Sequence, residues 1–103
     1  FAPTIEDRDR MLVPTIVLLE LYKTLRRQLG DHAADEAVMA LRACQVVDLD
    51  STHALAAAQL GPRHGLALAD SIIYATAQLA GATLWTMDEH FEALPAVRYF
   101  PKA

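Results

Sequence analysis

The stretch LALADSIIYATAQLAGATLWTMDEHF, residues 66–91, constrains the fold more than any other part of the chain. Ala69, Ile72, Ile73, Thr76, Ala77 and Ala80 recur at helical spacing and give one largely apolar face. Gly81 is a natural stop, because glycine accepts the left-handed conformation that a helix end often needs. Ala82 to Trp85 is a short apolar run of β-prone residues, too short for a helix and suited to a buried strand. Asp70 sits at the mouth of the helix and Asp88 just past the strand. In open α/β sheets, ligands bind beyond the carboxyl ends of the strands. That rule puts Asp88 at a site edge, and a helix opening at Asp70 can face the same edge.

The rest of the chain repeats the alternation. Residues 1–10 open with a short helix, since Thr4 with Asp7 three residues on resembles a capping arrangement. Met11 to Val13 is a strand ending at Pro14. Thr15 to Leu29 is a helix with a stripe of Leu18, Leu21, Tyr22, Leu25 and Leu29, stopped by Gly30. Asp31 to Arg42 is a second helix with Asp31 as its N-cap, and the short break makes the two an antiparallel pair. Gln45 to Leu49 is a strand. Asp50 caps a helix over His53 to Leu60, which Gly61-Pro62 breaks. Val97 to Phe100 is a last short strand. Strands separated by helix pairs signal a parallel sheet covered by helices on both faces, a three-layer α/β/α domain. No repeat, low-complexity tract or linker divides residues 1–103, so they form one domain.

Composition narrows the class. Hydrophobic residues make up 53% of the 103, enough to fill one modest core. No apolar run approaches the roughly 20 residues of a membrane helix. The single Cys44 forms no internal disulfide and suits a reducing cytoplasm. A net charge of −4 argues against a protein that coats nucleic acid. It leaves a nuclease open, because acidic metal ligands count as negative until the cation is bound.

Three acids stand out. Glu20 interrupts IVLLELY, residues 16–22, where a charge is costly unless it is exposed, paired with Lys23 or bound to a cation. Asp70 is either a helix cap or a ligand, and Asp88 either caps a turn before Glu89-His90-Phe91 or is a ligand. Crowded carboxylates raise one another's pKa values, and a divalent cation removes that penalty. Hard cations such as Mg²⁺ and Mn²⁺ favour carboxylate oxygens and can activate water against a phosphodiester. The hydroxyls of Thr86 and Ser71 adjoin the acids and can orient them, or serve only turns and caps. His32, His53, His64 and His90 have no mutual spacing that makes a zinc site, which leaves them surface or capping roles. Arg63-His64 is a loop or a phosphate contact. No zinc Cys pair, HExxH, GxSxG or Walker loop is present.

VPTIVLLELYK (13–23), LALADSIIYATA (66–77) and ATLWTMDEHF (82–91) resemble consecutive blocks of PIN-domain ribonucleases, and among them the VapC toxins of bacterial toxin–antitoxin pairs. The likeness runs over nearly the whole chain in the right order. It implies catalytic and metal-binding roles for Glu20, Asp70 and Asp88, with Thr86 as the hydroxyl before the last acid. It implies a Mg²⁺- or Mn²⁺-dependent endoribonuclease that cuts RNA and is inhibited by a VapB-type antitoxin. It also implies toxin homodimers, higher toxin–antitoxin assemblies and promoter DNA binding through the antitoxin alone.

One departure matters. The family opens with a strand ending in an Asp-Thr/Ser-Ser-like motif, and nothing here corresponds to it. The resemblance therefore implies an absent N-terminal segment holding a sheet strand and one acid, with open edges left in the sheet. The alternative function is a catalytically inactive PIN-like module for protein binding. A small phosphatase or nucleotide-binding domain would need a phosphate-cradling loop that the chain lacks. The helix pair over residues 15–42 carries more apolar surface than one sheet face needs, which by analogy suits an antitoxin or dimer contact.

Overall fold

The alternation of strands and helices is present in the computed structural model, which describes residues 3–101. Strand β1 (Thr4–Asp7) turns tightly into β2 (Arg10–Pro14). Helices α1 (Thr15–Leu29) and α2 (Asp31–Arg42) lead to β3 (Gln45–Val47). Helices α3 (Ser51–His64) and α4 (Leu68–Ala80) lead to β4 (Thr83–Thr86), and a 3₁₀ turn at Glu89–Phe91 precedes β5 (Val97–Tyr99). The sheet order is β3-β2-β1-β4-β5. Strands β2 and β3 pair in parallel, as do β4 and β5, while β1 runs antiparallel to both its neighbours. The expected parallel sheet is thus realised by every strand except the central one.

The N-terminal stretch departs from its sequence reading. Thr4–Asp7 is a strand, not a capped helix, and it fills the centre of the sheet, where open edges were expected. Phe1 and Ala2 lie outside the described residues. The local cap signal loses to a tertiary one. Ile5 is 1% exposed and sits between Leu12 of β2 and Leu84 of β4, so the strand buries a side chain that an isolated helix turn would leave wet. Asp7 does not cap; it pairs with Arg10 at 2.9 Å. The two-residue turn needs positive φ at both positions, and Arg8 (50°) and Asp9 (67°) supply it without glycine.

Burial along the strands shows which faces are covered. Leu12, Val13 and Pro14 are consecutive and all buried, so β2 is enclosed on both faces. In β4, Leu84 and Thr86 are buried while Thr83 and Trp85 are half-buried, so that strand has one inner and one partly open face. Trp85 stacks on Phe100 at 5.5 Å and 11° on the open side. The core joins Ile5, Leu12 and Leu84 to Ile73, Tyr74 and Ala77 of α4, and the Tyr74 hydroxyl donates to the carbonyl of Pro95 at 3.0 Å.

Smaller corrections follow from packing. Leu29 is exposed rather than part of the α1 stripe, and Val17 is the buried residue of that helix. Gly30, not Asp31, occupies the α2 cap position, and Asp31 instead binds Arg26 at 2.7 Å. Strand β3 stops at Val47. Asp50 caps α3 as expected, accepting from the His53 amide at 2.9 Å. Gly61-Pro62 does not break that helix. Pro62 lies in its last turn, where a missing N–H forfeits one bond, and the helix ends at Gly65 with φ 65°.

Gly61 has a different task. A Cβ at this position would lie 3.1 Å from the Ser71 Cβ and closer still to its hydroxyl. That hydroxyl is fixed by donation to the Ala67 carbonyl at 2.8 Å, so α3 and α4 meet at this point with no room to spare. Gly61→Ala is expected to destabilise the fold by about 1–3 kcal/mol, read as a lowered midpoint in thermal unfolding. An unchanged midpoint would mean that the helices can separate freely. Among the described residues, no helix is long and apolar enough to cross a membrane.

Candidate active site

The carboxyl ends of β2 and β4 and the first turn of α4 meet at one rim of the sheet, around a cavity of about 920 Å³. Glu20, Asp70, Thr86, Asp88, His90 and Tyr99 all line it. The three acids singled out in the sequence therefore face one space, although they lie far apart along the chain.

Asp70 is the third residue of α4, and Ala67 occupies the cap position without any side-chain bond. The carboxylate is thus not consumed in capping. It is half-buried, and its carboxyl is held above the usual range, first by burial, then by the charges of Asp88 and Glu20, with His90 acting in the opposite sense. A carboxylate in this position is destabilised by its own neighbours.

Asp88 caps the 3₁₀ turn, as one reading of the sequence expected. Its Oδ1 accepts from the His90 amide at 2.9 Å and lies 2.8 Å from His90 Nδ1. Capping and pointing into the cavity prove compatible, because one oxygen serves the turn and the other has no bond to His90. Thr86 is buried, and its hydroxyl accepts from the Asp88 amide at 3.0 Å. That bond fixes the loop that carries Asp88. Ser71, by contrast, is turned into the α3–α4 contact and donates to backbone carbonyls, so it is a packing hydroxyl. Glu20 is exposed on the second turn of α1, on the cavity wall.

The tightest grouping includes a residue that the sequence did not suggest. Potential ligand atoms of Asp70, Asp88 and His90 all lie within 4.8 Å of one another, whereas Glu20 stands outside this group. A search for two histidines at zinc spacing misses His90, because its partners are carboxylates, one of them two residues away. The central strand brings no further acid to this rim. Running antiparallel, β1 presents its beginning here, with Pro3 on the cavity wall, while Asp7 and its partner Arg10 lie at the opposite end.

The donor set fits a divalent cation. Two half-buried carboxylates and an exposed imidazole converge, and Asp70, raised first by burial and then by the charges of Asp88 and Glu20, is a carboxylate whose ionised form a cation would favour. The sign for the metal-free protein is definite. With a folded pKa above its unfolded value, Asp70 contributes stability that is fully present below the ordinary carboxylate value of about 3.9 and is lost as pH rises through the raised folded value. Thermal midpoints of metal-free wild type and Asp70→Asn should therefore diverge with rising pH through that window, the variant losing less. Parallel curves would mean that Asp70 is not under strain.

The PIN domain family matches residues 1–97. A chain of a toxin–antitoxin complex from Klebsiella pneumoniae is 25% identical, with a TM-score of 0.78, covering 88% of this chain and 75% of that one. A chain of DNA-bound VapBC from Salmonella typhimurium shares the fold, with a TM-score of 0.70 at 24% identity, covering 89% of this chain and 75% of that one. A comparison with curated proteins finds no match.

Proposed function

The chain belongs to the PIN domain family, and from that premise we propose that it is a divalent-metal-dependent endoribonuclease, the toxin of a VapBC-type pair silenced by a VapB-type antitoxin. The observation that carries the reading is the convergence of Asp70 and Asp88, with Glu20 on the same wall, at the rim where a sheet of this kind binds its ligands. The likeness to a toxin–antitoxin complex supports the biological setting.

Asp70 and Asp88 would hold Mg²⁺ or Mn²⁺, and Glu20 would act from elsewhere on the lining of the same cavity. A bound dication lowers the pKa of coordinated water and neutralises charge on a phosphodiester. The chain's own residues do the rest. The Thr86 hydroxyl holds the Asp88 backbone amide and the His90 amide holds the Asp88 carboxylate, so little reorganisation would be needed on binding. Glu20, exposed on the cavity lining, would accept a proton from a water there. Leu19, Leu29 and Met39 are exposed on α1 and α2 and offer the apolar surface that an antitoxin or a second toxin copy would cover, whereas Leu25 is half-buried.

The test is cleavage of single-stranded RNA by the full chain. Internal cuts that need Mg²⁺ or Mn²⁺, vanish with EDTA and are suppressed by the antitoxin are the expected result. A second reading, an inactive module for binding partners, is favoured by the absence of an acid from the central strand at the rim. Stable metal binding without any cleavage would select it.

A further inference from the structure

We propose that the phosphate backbone of the RNA substrate runs along α1, over a groove lined by Lys23, Arg26 and Arg27, as it leaves the acidic cavity. The inference rests on the ribonuclease reading above and concerns how such a substrate is held. The protein is acidic, with a net charge of −4, and Glu20, Asp70, Asp88 and Glu89 line its cavity. A polyanion approaches such a rim where cations are concentrated beside it. Three of the nine Lys and Arg residues fall within the short run Lys23–Arg27. With Leu19 and Tyr22 they line one groove of about 490 Å³.

Helical geometry joins this groove to the cavity. Lys23 and Arg27 follow Glu20 at the spacing of one helix stripe, so the stripe that begins with an acid on the cavity lining continues as cations in the groove. At about 1.5 Å per residue, Arg27 stands about 10 Å beyond Glu20 along the axis. The two cations are also free to bind. Arg26 is held by Asp31 at 2.7 Å, but among the described residues no carboxylate lies within salt-bridge distance of Lys23 or Arg27. The Glu20–Lys23 pair that the sequence allowed does not form. The helix dipole favours Arg26 and Arg27 in the last turn and gives no reason for Lys23, further up the helix. Both Lys23 and Arg27 are exposed, and half-buried Tyr22 in the same lining offers a ring on which an unpaired base can stack.

Fluorescence anisotropy of a labelled single-stranded RNA with the full chain in EDTA tests this without cleavage. Lys23→Gln/Arg27→Gln should bind about 10-fold more weakly than wild type, and the slope of log affinity against log salt should shrink by about 1.4, at about 0.7 per phosphate contact. Lys23→Arg/Arg27→Lys keeps both charges and should bind as wild type does. Arg8→Gln/Arg10→Gln loses the same charge at the opposite end of the sheet and should also bind as wild type does. In cleavage with Mn²⁺, Lys23→Gln/Arg27→Gln should lower kcat/KM by a similar factor, through KM. The replaced side chains are exposed, and circular dichroism checks that each variant is folded. Unchanged affinity and salt slope in Lys23→Gln/Arg27→Gln, an equal loss in Arg8→Gln/Arg10→Gln, or no RNA binding by folded wild type would overturn the proposal. Loss of antitoxin binding with RNA affinity intact would also overturn it, and would make the groove a protein site. RNA binding that depends on Lys23 and Arg27, without any metal-dependent cleavage, would uphold the groove and overturn the nuclease reading instead.

Discussion

Replacing Asp70 with asparagine should cut RNA cleavage by about 100-fold or more while making the metal-free protein more stable at neutral pH. The two effects come from one cause. Altering a group that only orients a ligand already costs about 10–100-fold in affinity or activity, and loss of the ligand itself should exceed that. In the absence of metal, the same carboxylate is held half-buried against Asp88 and Glu20, and neutralising it removes that repulsion. Thermal unfolding with and without Mn²⁺, beside the cleavage assay, reads both. The variant should begin with the higher midpoint and gain little from the ion. A variant as active as wild type would take Asp70 out of the mechanism. A variant less stable than wild type at neutral pH would show that the carboxylate serves the fold instead.

Ile5→Ala should be the most damaging of the conservative truncations near the N-terminus, and Glu6→Ala next to it nearly silent. Ile5 faces the core from the middle of the sheet, and Glu6 points to the other, solvent-facing side. Emptying a buried isoleucine site costs about 2–5 kcal/mol, against a total of about 5–15 kcal/mol for a domain. The thermal midpoint should drop by more than about 10 °C, at about 4–8 °C per kcal/mol for a chain of this size. The Glu6 change should stay within about 0.5 kcal/mol. Equal small effects at both positions would mean that residues 4–7 are not a strand paired to β4.

That second prediction concerns the part of the fold that sequence reasoning missed. Helices α1 and α2 were legible to the residue because Gly30 separates two runs of helical apolar spacing. The α4–β4 unit was legible for the same reason, with Gly81 taking up the left-handed conformation expected of it. Strand β1 was not, because its partner Leu84 lies across almost the whole chain and its turn residues, Arg8 and Asp9, carry no glycine or asparagine signal. Pro62 misled in a simpler way. A proline ends a helix only where the helix would otherwise continue, and α3 was already in its last turn.

The candidate site divides along the same line. Glu20 could be picked out because an acid amid apolar residues demands a reason, and Asp70 and Asp88 because they stand at a helix mouth and just past a strand. That Asp70 is free of capping, that Asp88 caps and still faces the cavity, and that His90 joins them depend on the angle at which α4 meets the 3₁₀ turn. No spacing along the chain encodes that angle.

The central strand joins the nearest pairing in the sheet to the farthest one. Against β2 it closes through a two-residue turn, an event of about 1–10 μs for a hairpin. Against β4 it pairs across a loop that spans both helix pairs. The ladder between Ile5 and Leu84 is therefore the seam whose closure costs the more chain entropy. Because the segment just past β4 carries Asp88 on one side of this seam and α1 carries Glu20 on the other, a partial opening there would scatter the acids while leaving the amino-terminal hairpin intact.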